Sequence, residues 1–187
     1  EKSPARAREY WELGAKSGSA IAQNNLAILL AKGLDSNPDE IRAMSLFRES
    51  ALRGYPPSQI AYALSLLQGA GVARDAREGF RFMEMAAKSG NPEAQNNLAA
   101  CYFNGIGVLQ DYSAAFDWYG RAASAGYPDA QNNLADCYLN GYGTPKNQSE
   151  AVKWYRRAAF QGSVSAQSNL GYCYLNGIGT GKSASDA

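Results

Sequence analysis

The chain is built on one period of 36 residues. AQNNLA stands at residues 22–27, 94–99 and 130–135, and AQSNLG at 166–171. Gln23, Gln59, Gln95, Gln131 and Gln167 therefore form one column, and Gly33, Gly69, Gly105, Gly141 and Gly177 another, with no insertion breaking the register. Ala15, Ala51, Ala87, Ala123 and Ala159 make a third, followed three residues later by Gly18, Gly54, Gly90, Gly126 and Gly162. So constant a period excludes a fold organised round one central core. Each unit must be a supersecondary module that buries its apolar face against the next.

Residues 91–126 show what the module is. Ala94, Leu98, Cys101 and Tyr102 share one face at helical spacing. Asn91 and Pro92 supply an N-cap and a first-turn proline, and Gly105 sits where a left-handed residue ends a helix. A second helix is predicted from about Tyr112 to Ala125, with Ala115, Phe116, Tyr119, Ala122 and Ala123 inward and Gly126 closing it. Ahead of it the column Ser3, Asp39, Asp75, Asp111, Asn147 and Ser183 offers a side-chain acceptor to a first-turn N–H in every unit. Glu78 and Glu150, three residues after their caps, are expected to complete capping boxes.

These signals predict an all-α fold: a right-handed α-solenoid, or superhelix, of 36-residue helix-turn-helix repeats forming a single domain. Residues 1–18 are the second helix of a partial unit. Four full units follow at 19–54, 55–90, 91–126 and 127–162, then a partial unit at 163–187. The chain starts at Glu1 without a Met and is expected to continue beyond one or both ends.

GTGKS at 179–183 invites comparison with a phosphate-binding loop. That pattern needs a glycine at position 176, where Asn176 stands, and a preceding β-strand, where the first helix LGYCYLN stands. Gly177 and Gly179 align with the GIG at Gly105 and the GYG at Gly141, Lys182 aligns with Lys146, and Ser183 belongs to the capping column. The stretch reads as a repeat connector. Asn147-Gln148-Ser149 fits a glycosylation acceptor, but a capping Asn is what the repeat places there.

Composition narrows the function. Lys plus Arg total 18 against 17 Asp plus Glu, a formal charge of +1, so no broad field draws the chain to nucleic acid or an anionic membrane. No apolar run approaches the roughly 20 residues that span a bilayer, and no signal segment opens the chain. Histidine is absent, which removes the commonest general base and the commonest metal ligand. No catalytic residue, cofactor or metal is expected.

With these columns in place, the sequence resembles the Sel-one-like repeat (SLR) family, relatives of the tetratricopeptide repeats. PEAQNNLAACYFNGIGVLQD with AAFDWYGRAASAG carries the resemblance, and residues 128–162 carry it again. The second unit departs most, with Ala61 and Tyr62 in place of Asn and Leu, and the first has Asp35 in place of its second glycine. The resemblance implies an adaptor or scaffold that binds other proteins, in bacterial envelope and host-contact settings or in eukaryotic quality-control complexes, and not an enzyme; a bacterial origin and a cytoplasmic or periplasmic location are expected. Some bacterial members cross-link paired cysteines within each repeat. Here Cys101, Cys137 and Cys173 occur once per unit in one column. Equivalent helices lie roughly 10 Å apart, beyond disulfide reach, so free thiols are expected, which favours a reducing compartment.

The aromatic columns Trp118 with Trp154, Tyr119 with Tyr155, and Tyr102, Tyr138 and Tyr174 are expected in the core. Opposite the core stripe, each first helix is expected to expose a second stripe lining a concave groove. Its candidate partner-binding residues are Asn24 and Ile28; Ile60, Leu64 and Leu67; Asn96, Asn97 and Asn104; Asn132, Asn133, Asp136 and Asn140; and Tyr172. The first two units read as an apolar zone and the later ones as an amide-rich, mildly acidic zone. The side chains of Asn25, Asn97, Asn133 and Asn169 either pair with an extended partner's backbone or tie successive helices together. Lys32 is almost the only cation of the groove, which argues against recognition of a C-terminal carboxylate and for an apolar or basic peptide segment. The alternative is a small-ligand binder or hydrolase using groove carboxylates. Asp129 and Asp136 are its candidates, about 10.5 Å apart along one helix face, with an exposed setting and ordinary titration expected. Self-association through the edge of the last first helix, at Leu170 and Tyr174, is a further expectation.

Overall fold

The computed structural model describes residues 3–34 and 37–179, and among these it holds ten α-helices and no strand. The first helices are α2 (Ala20–Lys32), α4 (Pro56–Gln68), α6 (Pro92–Asn104), α8 (Pro128–Asn140) and α10 (Val164–Asn176). The second helices are α1 (Pro4–Lys16), α3 (Glu40–Leu52), α5 (Ala76–Lys88), α7 (Tyr112–Ser124) and α9 (Gln148–Phe160). The all-α architecture of contiguous helix-turn-helix repeats is as predicted.

The helices begin and end where the columns place them. Asp39, Asp75, Asp111 and Asn147 each accept the N–H three residues on, at 2.9–3.1 Å, and Ser3 does so at 3.4 Å. Gly33, Gly69, Gly105, Gly141 and Gly177 close the first helices in the left-handed conformation. Ser183, Lys182 and the rest of the GTGKS stretch beyond Gly179 lie outside the described residues, as does Asp35.

The capping boxes need correction. The N–H groups of Asp75 and Asn147 donate to the carbonyls of Leu66 and Tyr138, nine residues back, at 2.9 and 2.8 Å. With that donor satisfied, no carboxylate need reach back for it, and Glu150 pairs with Lys153 at 2.6 Å instead. Asp39 and Asp111 bond in the same way to Leu30 and Tyr102. In these four repeats the connector is thus sewn to its own first helix by backbone.

The helices gather into two compact units, α1–α5 and α6–α10. In each, a helix packs most extensively on its neighbours in sequence. The core of the first unit holds Leu26, Leu30, Phe47, Tyr62, Leu66, Phe82 and Met83, with Phe82 set edge-on against Tyr62. In the second unit one cluster joins Tyr119, Leu134 and Cys137, and another joins Val152, Tyr155 and Cys173. Each large side chain so buried contributes on the order of 1.5–3 kcal/mol. Alanines with no exposed surface, such as Ala99, Ala115, Ala135 and Ala151, let the helices approach closely enough to exclude water.

Candidate functional site

The candidate surface is the outward stripe of the first helices, and the two units treat it differently. In the first unit Ile60 is buried at 6% exposure and therefore leaves the expected apolar patch. Leu67 is half-buried: a Cβ on Gly79 would come within 2.8 Å of its Cδ2, so Leu67 occupies the space that Gly79 of α5 leaves open. Leu64 is half-buried too. Ile28 remains exposed and borders a cavity of about 450 Å³ between α1 and α2, with Ala7, Trp11, Asn25 and Leu29. Asn24 is buried, accepting from the Ser58 hydroxyl at 2.9 Å and donating to Asn25 at 3.2 Å. The apolar zone expected here is thus narrower: Ile60 is withdrawn from it, Leu64 and Leu67 are half withdrawn, and Ile28 on α2 stays exposed.

The second unit keeps a polar face. Asn133 donates to Asn96 Oδ1 at 2.9 Å, and Asn169 donates to Asn132 Oδ1 at 3.0 Å. One amide on each of α8 and α10 thus reaches back to the preceding first helix. Asn96 and Asn132 are themselves buried, contrary to the exposed setting expected of them. Of the two roles weighed for Asn133 and Asn169, the tie between helices is the one observed, and it uses their Nδ2 atoms. Asn97, Asn133 and Asn169 remain half-buried, and the Oδ1 atoms of Asn133 and Asn169 form no hydrogen bond within the described residues. Asn104 and Asn140 are exposed and donate to carbonyls of their own helices, Ala100 at 2.9 Å and Asp136 at 3.0 Å, which finishes the last turn. Tyr172 is 60% exposed on α10.

Asp136 differs most from expectation. It is half-buried, its Oδ1 accepts a short bond from the Tyr155 hydroxyl, and its Oδ2 accepts from Asn132 at 3.3 Å. Burial raises its carboxyl above the ordinary value, and the Tyr155 bond only partly opposes this. Burial and the same bond raise the Tyr155 phenol. Asp129 is exposed at the start of α8. The two acids of the hydrolase alternative therefore sit in different environments, and only Asp136 is held by the fold. Tyr155, read from sequence as core, is the functional neighbour missed. The signal was present in the columns: Asp136 stands where the other units have Ile28, Leu64, Ala100 and Tyr172, and an acid beside a buried Tyr has an obvious donor.

Cys101, Cys137 and Cys173 are free and buried, as expected. Burial pushes the thiols of Cys101 and Cys137 up to about 11 and about 12. Among the described residues no three metal-ligating side chains gather as a metal ion requires, and no helix is long and apolar enough to cross a membrane. Trp118 and Trp154 pack against the core clusters as half-buried rings, with Arg121 and Arg157 stacked 4.5 Å from the ring centroids. Gln59, Gln131 and Gln167 donate to Ala51, Ala123 and Ala159, pinning each first helix to the end of the second helix before it.

Contiguous helix-turn-helix repeats, all helix among the described residues, define an all-α helical-repeat protein of the solenoid kind. The chain belongs to the Sel1 repeat family, whose pattern matches residues 1–19, 20–55, 56–91, 92–127, 128–163 and 164–187. Proteins of this family are generally non-catalytic scaffolds for protein interaction. Among solved structures the chain is similar to a protective antigen of uropathogenic Escherichia coli displaying an SLR fold, at 34% identity and a TM-score of 0.90 over 94% of this chain. It spans 38% of that antigen's length. A Sel1 repeat protein from Oxalobacter formigenes is 26% identical, with a TM-score of 0.83 over 94% of this chain and 75% of its own. An immunity protein from Pseudomonas aeruginosa is 25% identical, with a TM-score of 0.55 over 85% of this chain and 58% of its own. A search of curated protein sequences finds no match.

Proposed function

We infer that this chain is a scaffold that holds a partner protein, and that the first-helix face of residues 91–179 takes an extended segment of it. The observation that carries the reading is the amide row. Asn133 and Asn169 spend their N–H groups on neighbouring helices and leave their carbonyl oxygens open, in positions half exposed to solvent. A row of fixed acceptors suits the N–H groups of an extended backbone, which would otherwise lose water without replacement. Tyr172 supplies an exposed amphipathic ring of the kind enriched at protein interfaces.

The test begins with affinity capture and mass spectrometry to identify a partner. Purified partner is then titrated against Asn97→Arg and Tyr172→Arg, which alter the face, and against Asp117→Arg on α7. Loss with the first two and retention with the third supports the reading. Equal binding by all three variants would overturn it.

A second reading, self-association through α10, is favoured by Val164, Tyr172 and Leu175, which are 78%, 60% and 78% exposed. The edge differs from the one expected, since Leu170 packs into the core of α9 and Tyr174 is held by Arg156 at 2.6 Å. Light scattering across a concentration series checks it: a constant monomer mass rules it out.

A further inference from the structure

Asp136 presents an unusual combination. Its carboxylate is half-buried on a first helix and held at both oxygens, Oδ1 accepting from the Tyr155 hydroxyl and Oδ2 from Asn132. No Lys or Arg among the described residues pairs with it. The fold has therefore withdrawn an acid from water and supplied hydrogen bonds but no counter-charge. Its helix and the two flanking first helices carry no base at all: α6 has Glu93, α8 has Asp129 and Asp136, and α10 has no charged residue. Among the described residues of this unit, Arg121, Lys153, Arg156 and Arg157 sit on the second helices and Lys146 on a connector, with Arg121 and Arg157 stacked on tryptophan. One repeat on from Asp136, in the same column, stands the exposed ring of Tyr172. An acid lacking a cation, with an exposed aromatic ring at the equivalent position of the next repeat, is the chemistry that receives an ammonium or guanidinium.

We propose that Asp136 anchors a lysine or arginine side chain of the extended partner segment, with Tyr155 as the positioning residue that aims the carboxylate outward. The proposal rests on the reading of the first-helix face as the partner surface and adds what that surface selects. The segment's backbone meets the open Oδ1 atoms of Asn133 and Asn169, and one basic side chain descends between α8 and α10. A pre-fixed carboxylate favours this arrangement because little side-chain freedom remains to be lost on binding.

The experiment uses the whole protein and short randomised peptides displayed on phage. Selection on the wild type is expected to enrich peptides with Lys or Arg at one fixed place. Replacing an arginine there by citrulline, or Asp136 by Asn, is expected to weaken binding about tenfold. The two changes together should cost no more than either alone, as for direct partners. Tyr155→Phe leaves the acid and removes its support, so it should weaken the arginine peptide while barely affecting the citrulline peptide. Asp117→Asn should change nothing. Circular dichroism melts confirm that each variant is folded. If the selected peptides lack a common base, or bind Asp136→Asn as tightly, the anchor is refuted. The face itself still stands in that case provided Asn97→Arg and Tyr172→Arg weaken them. If those two variants bind as wild type does, or if selection yields no binder, both the face and the anchor fall.

Discussion

At the scale of single residues, some positions are fixed by backbone and others by charge. Gly143 is fixed by backbone: its φ is +68°, and a Cβ there would lie 2.1 Å from the Tyr112 carbonyl oxygen, too close for any side chain. Gly143→Ala is expected to destabilise the protein by about 2 kcal/mol or more, read from a urea unfolding midpoint. Gly120, inside α7 with nothing near its would-be Cβ, supplies the contrast. Gly120→Ala should stabilise by about 0.5–1 kcal/mol, because helical alanine loses less freedom on folding than glycine. Asp136 is governed by charge. Its carboxyl is raised above the ordinary 3.8 by burial, with Tyr155, Tyr119, Cys137 and Cys173 as its titratable neighbours, all neutral below pH 7. The folded state therefore binds the acid's proton more readily than the unfolded chain does. Its penalty is present at neutral pH and relieved as the pH falls through the folded titration. The stability of the wild type relative to Asp136→Asn should rise between pH 7 and pH 4 in parallel melts. A difference that stays flat or falls would refute the raised carboxyl.

At the scale of helices, the cap column and the amide row separate two kinds of contact. Asp111→Ala removes the acceptor for the Ala114 N–H and should cost about 1 kcal/mol, since water can partly replace it at an exposed helix start. Asn133→Ala strips the donor from Asn96 Oδ1, which is buried, and should cost about 1–3 kcal/mol, the larger loss because no water replaces it. Denaturant unfolding of both variants under one set of conditions checks the order, and a costlier Asp111→Ala would reverse the argument. Helices, caps and repeat boundaries were legible in the sequence because each is set by residues within one turn of the event: Asp111 caps α7 wherever α7 points. The face was only half legible. Asn96 and Asn132 look like exposed amides from their place on the helix, and their burial depends on the Asn one residue past them in the next repeat, Asn133 and Asn169. Ile60 and Leu67 look like a docking stripe, yet Leu67 fills a space that exists only because Gly79 stands where the other units have alanine. Contacts set by a neighbouring module leave no mark on a single helix's period.

At the scale of the whole molecule, a chain of modules held mainly by nearest neighbours opens piecewise, and three thiols are placed to report it. Cys101, Cys137 and Cys173 lie on α6, α8 and α10, all buried and free. At pH 8 the thiols of Cys101 and Cys137, pushed to about 11 and about 12 by burial, are almost wholly protonated, and only the thiolate attacks an alkylating reagent. Labelling in the native state must therefore wait for an opening that both exposes the sulfur and returns its ordinary acidity. The helix around Cys173 has the least cover, since Gly171 and Leu175 beside it are exposed where Ala135 and Leu139 in the preceding repeat are buried and half-buried. Iodoacetamide labelling followed by peptide mass spectrometry is expected to find Cys173 modified first, with Cys101 and Cys137 slower and close to each other. All three should react fully and at similar rates once urea has unfolded the chain. Rapid labelling of Cys137 under native conditions would mean that the packing of α8 against α9 is looser than the buried Tyr155 and Ala135 require, and the fixed face built on that packing would go with it.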